Sequence, residues 1–102
     1  MKNAADESQV REASKSEKRK AERELSDLAV VLSIPEGRRV MRRVLDLSGE
    51  NQPAFSQSHE LAYYRMGAQD VGRVLLTEMF KANPDVATQI AADGYREKKE
   101  NE

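Results

Sequence analysis

The sequence predicts an all-α fold, a small bundle of about three to four helices with an extended charged N-terminal helix. Three observations predict it. Apolar residues recur at spacings of three and four. Two prolines stand where helices restart, Pro35 and Pro84. No stretch alternates apolar and polar residues as a half-buried strand does.

The 102 residues allow one domain at most. Charged residues make up 34% and hydrophobic ones 38%, so core material is thin. Seventeen Lys and Arg face eighteen Asp and Glu. With net charge near zero, any pull toward nucleic acid or an anionic membrane must come from local patches. The absence of cysteine removes thiol nucleophiles, disulfides and thiolate metal sites, and fits a reducing compartment. The longest apolar run, Leu28 to Leu32, falls far short of the roughly 20 residues of a membrane span. Met1-Lys2-Asn3-Ala4 leads into charged residues rather than an apolar stretch. The expected place of synthesis and action is therefore the cytoplasm.

Residues 1–24 hold seven basic and six acidic residues, and Met1 and Val10 are their only large apolar side chains. They read as a charged helical arm or a disordered tail. Helix formers dominate, and opposite charges lie a turn apart, as at Glu17 and Lys20. Leu25, Leu28, Ala29, Val31 and Leu32 then share one helical face. One helix is expected from about Glu12 to Leu32, reaching a core only in its last two turns. A compact helical module is expected over residues 25–95.

Ser33-Ile34-Pro35-Glu36 is a break and restart, with Ser33 as the expected N-cap and Pro35 in the first turn. The second helix should end near Leu47, with Gly49 in a left-handed cap. Residues 48–57 read as a loop pinned to the core by Phe55. The third helix is expected from about Ser58 to Ala82. Its stripe Leu61, Tyr64, Ala68, Val71, Leu75 and Met79 is the expected core face. Gly67 and Gly72 inside this helix each cost about 1 kcal/mol relative to Ala, and fit places where another helix approaches closely. Asn83-Pro84-Asp85 starts a fourth helix carrying Val86, Ala87, Ile90, Ala91 and Tyr95. Residues 96–102 read as a charged, frayed tail.

Catalytic and metal-ligating patterns are missing. His59, the only histidine, has no nucleophile or base partner pattern and no companion metal ligands. The glycines are scattered rather than gathered in a phosphate-binding loop. The expectation is a non-enzymatic protein with no cofactor and no metal. Arg38, Arg39, Arg42 and Arg43 form one helix face opposite Val40, Met41, Val44 and Leu45. That face is read first as solvated and partly neutralised by Asp46. Its functional alternative is a contact for nucleic acid or an acidic partner. Tyr63 and Met66 widen the apolar stripe of the third helix. They join Gly67, Gly72, Leu25 and Leu28 as the candidate protein interface.

The order of short motifs in residues 33–98 carries a resemblance. It runs from Pro35-Glu36-Gly37-Arg38-Arg39 through Phe55 and Ser58-His59-Glu60-Leu61-Ala62-Tyr63. It continues with Gly67, Asp70-Val71-Gly72, Leu75-Leu76 and Asn83-Pro84-Asp85. This pattern resembles a family of small tailed-bacteriophage proteins typified by a structural protein of a Bordetella podovirus. The chain departs from the family at Arg65-Met66-Gly67-Ala68-Gln69-Asp70, where members often carry several arginines. It departs again at Val40 and Met41, where aromatic residues are common. The resemblance implies a virion structural or assembly protein without catalysis, assembled in the host cytoplasm. Its implied partners are the portal, an internal head protein or the capsid, with a homo-oligomer as a further option.

Overall fold

Four helices and no strand make up the computed structural model, which describes residues 4–49 and 52–100. They are α1 (Ala4–Leu32), α2 (Pro35–Ser48), α3 (His59–Ala82) and α4 (Pro84–Glu100). The protein is all-α. α1 and α3 are the long elements; α1 packs on α2 and α3, while α4 packs on α3 and α2.

The arm read as helix or tail is helix from Ala4 onward. Residues 1–3 lie outside the described residues, as do Glu50, Asn51 and residues 101–102. Every residue from Ala4 to Glu24 is exposed. This stretch therefore runs about 30 Å with every residue open to solvent. Packing starts at Leu25 and Leu28 and ends on Leu32, which is fully buried. The final helix also runs further than expected: α4 extends through the segment read as a frayed tail, to Glu100.

The break at residues 33–34 differs from its sequence reading in one respect. Ser33 does not cap α2. Its hydroxyl donates instead to the Val30 carbonyl at 2.6 Å, closing α1. The residue before a proline is pushed into extended backbone. Ile34, at φ −116° and ψ 144°, therefore becomes the N-cap and offers no side-chain acceptor. The caps at Gly49 and Asn83 fall where expected, and Ser58, expected as the start of α3, is its N-cap. Gly49 is left-handed at φ 72° and donates to the Asp46 carbonyl at 3.1 Å. Ser58 Oγ accepts from the Leu61 N–H at 3.3 Å. Asn83 donates to the Met79 carbonyl at 2.8 Å to end α3, and its side chain accepts from Val86 N–H at 3.2 Å to begin α4.

The core gathers at one end of the molecule. It comprises Leu32, Met41, Leu45, Met79, Val86, Ala87 and Ile90, with Leu28, Val31, Leu75, Leu76 and Ala82 packed around it. Along α3 the buried line is Gln69, Gly72 and Met79, with Leu76 half-buried. That line lies to one side of the expected stripe. Of the stripe, Met79 is in the core and Ala68 and Leu75 are half-buried, but Leu61, Tyr64 and Val71 are exposed. Tyr95 is also exposed, as is Phe55 at 82%, so Phe55 does not pin the loop.

The resulting shape is thin and open, 62 × 38 × 16 Å along its principal axes. Its radius of gyration is 18.3 Å, against about 13 Å for a compact domain of this length. The accessible surface is 7982 Å², where about 5,800 Å² suits a compact protein of this mass.

The α1–α2 corner is the tightest contact. A Cβ on Gly37 would fall 1.8 Å from the Val31 carbonyl oxygen. Backbone meets backbone there, and only glycine permits it. Gly37→Ala is expected to destabilise the fold by about 2–4 kcal/mol despite alanine's better helix propensity, measured as a lower urea midpoint.

Candidate interaction surface

α2 divides its surface in a way that reverses part of the sequence reading. Gly37, Met41 and Leu45 are buried, and Arg38 and Arg42 lie beside them, half-buried. Arg38 Nε donates to the Leu32 carbonyl at 2.8 Å. That carbonyl is one of the last of α1, without a partner in its own helix, so Arg38 caps α1 from the next element. Arg42 Nη1 donates to the Ile90 carbonyl at 2.6 Å, and its Nε to Asp46 Oδ1 at 3.1 Å. The Arg42 side chain is only 13% exposed. These two arginines tie α2 to α1 and α4. Arg39, paired with Glu36 at 3.7 Å, and Arg43 are exposed. The four arginines therefore do not present one common solvent face.

Three apolar residues of α2 point outward instead: Val40 at 57% exposure, Val44 at 37% and Leu47 at 73%. Met41 and Leu45, grouped with them by sequence, are in the core. The helix has two apolar edges, and its own bundle covers one.

The loop after α2 is held to α3 by polar contacts rather than by Phe55. Gln69, the one buried polar side chain among the described residues, donates to the Gly49 carbonyl at 3.0 Å and to that of Gln52. Arg65 donates to the Phe55 carbonyl at 3.3 Å. A cleft of about 310 Å³ is left between this loop and α3, with Leu47, Pro53, Tyr64 and Ala68 on its walls. A second, shallower hollow lies along α3 itself, lined by Asp70, Val71, Val74, Leu75 and Glu78.

The candidate interface residues separate into two groups. Tyr63, Met66 and Gly67 are exposed on α3. Gly72 is buried, Leu28 packs against the core, and Leu25 is half-buried on α1. Gly72 and Leu28 thus belong to the chain's own packing. Gly67 is no approach point within the chain, since a Cβ there would meet nothing within 4 Å. Periodicity did not pick out Val40, Val44 and Leu47 as surface residues. It assigned Val71 to the core and left Val74 unremarked. The chance to find them lay in noticing that both α2 and α3 carry more apolar positions than one neighbour can cover.

His59 is exposed at the start of α3. Among the described residues no group of three or more His, Asp and Glu side chains is close enough to hold a metal ion. No described helix is long and apolar enough to cross a membrane. Comparison with known protein families, with curated proteins and with solved structures finds no match.

The arginine contacts carry a stability prediction. Arg42→Met should cost about 1–3 kcal/mol, because it removes a charge-assisted bond to a backbone carbonyl. Arg43→Met should stay within about 0.5 kcal/mol. Thermal unfolding of the two variants side by side checks the contrast.

Proposed function

We propose that the chain is a phage virion structural or assembly protein. It acts by protein–protein contacts, at the portal or inside the head. The observation that carries the reading is the balance between core and surface. Seven apolar residues are buried at one end of the bundle, while fifteen large apolar residues among those described are exposed. Single exposed apolar residues are ordinary. Val40, Val44 and Leu47 on α2, and Val71 and Val74 on α3, however, form edges that follow their helices, as an interaction surface does. A core this small gives little stability by itself, and burial against a partner is the remaining source. The order of motifs from Pro35 to Asp85 supports a phage origin.

Nucleic-acid recognition through the arginine face has less support. Two of its four members are engaged with backbone carbonyls inside the fold.

Incorporation into particles tests the reading. Mass spectrometry of purified virions is expected to find the chain. The double variant Val40→Asp/Leu47→Asp should enter about tenfold less, the equivalent of about 1.4 kcal/mol of lost contact. Arg39→Ala/Arg43→Ala should enter like the parent. A chain absent from particles that binds DNA with a steep salt dependence would overturn the proposal.

A further inference from the structure

The outward face of α3 has the makings of a self-complementary seam. Glu60, Gly67, Val71, Val74 and Lys81 are all exposed. At 100° per residue they gather on the side of the helix away from the buried line through Gly72 and Leu76. Their spacings of seven, four, three and seven keep them in register along one ridge, the repeat that helix pairs use.

Two features of this ridge have no explanation within one chain. Val71 and Val74 are 66% and 60% exposed, side by side in the shallow hollow along α3. Gly67 sits in the helix interior, where it costs about 1 kcal/mol relative to Ala. The chain gains no close approach there, since a Cβ would meet nothing within 4 Å.

We infer that this face binds a second copy of the chain, α3 against α3 in antiparallel orientation. The two-fold axis then passes near residues 70 and 71. In that register position 67 faces position 74, and position 60 faces position 81. Val74 of each copy seats over Gly67 of the other, a large side chain opposite the missing one. Glu60 of each copy meets Lys81 of the other, so both ends carry opposite charges. Size matches at Gly67 and Val74 and charge at Glu60 and Lys81 in the same register, while Asp70, paired with Arg73 at 3.3 Å, and Glu78 flank the valines. A parallel pair sets Gly67 against Gly67 and Glu60 against Glu60, which leaves a gap and a like-charge contact. A two-fold arrangement of this kind is closed and yields a dimer rather than a filament. One helix face, about 30 Å long, lies at the small end of specific interfaces, so association in the micromolar range is expected.

This deepens the assembly reading by naming one partner, and the two can fail separately. A chain that enters virions but never pairs in solution overturns the inference and leaves the assembly reading standing.

The test is sedimentation of the purified full chain from low-micromolar to millimolar concentration. The weight-average mass should rise from 11.5 kDa toward twice that value. Gly67→Leu should remain folded, with a melting temperature at or above the parent's, yet dimerise about tenfold more weakly or worse. Glu60→Lys and Lys81→Glu should each weaken pairing, and an equimolar mixture of the two should restore it, because only the mixed pair sets Glu against Lys at both ends. A parent chain that stays monomeric throughout, a Gly67→Leu variant that pairs like the parent, or a mixture that gains nothing overturns the proposal.

Discussion

The close contact of Gly37 with the Val31 carbonyl sets the geometry on which the bundle depends. Without a Cβ at position 37, the first turn of α2 lies directly against the last turn of α1. Arg38 then reaches the Leu32 carbonyl and satisfies it. The corner aims Leu32, Met41 and Leu45 at one place, where Met79 of α3 and Ile90 of α4 complete the core. Arg42 adds a bond from α2 to the backbone of α4. A short stretch of sequence, Ile34 to Arg42, thereby connects three of the four helices. The part of α1 before Leu25 lies outside this arrangement.

Helix positions were legible because their signals are local. Pro35, Gly49, Ser58 and Asn83 each act through the backbone of their own few residues, and each marks a boundary as expected apart from the Ser33 cap. The faces were less legible. Periodicity shows that α2 and α3 have apolar stripes but not which stripe the chain itself covers. On α3 the core takes the line of Gln69, Gly72 and Met79, which is poor in apolar residues, and leaves Tyr64 and Val71 outside. Such a choice depends on where the corner at Gly37 aims the helices and on the loop that Gln69 holds from 20 residues away in sequence. The arginines show the same limit. Arg38 and Arg42 look like surface charge in sequence, but a guanidinium on a long stem can lie over apolar neighbours and end on a carbonyl.

The candidate site was legible in part. Tyr63, Met66 and Gly67 are at the surface, whereas Leu28 and Gly72 belong to the interior. Beside the cleft between the loop and α3, the surface they leave is apolar along the helices. Two edges are available, one on α2 through Val40 and Leu47, and one on α3 through Val71 and Val74. The two edges lie on different helices, so a partner on one leaves the other open to a second. The exposed first turns of α1 add reach without adding stability.

The fold is held at one end of the bundle, and the rest is surface. Native-state hydrogen exchange on the full chain tests this residue by residue. The predicted result is strong protection of the amides of α2, the second half of α3 and the first half of α4, with exchange close to the unfolded rate before Leu25. Uniform protection along α1, equal to that of Leu45 and Met79, would mean that the arm is part of the cooperative fold and not surface.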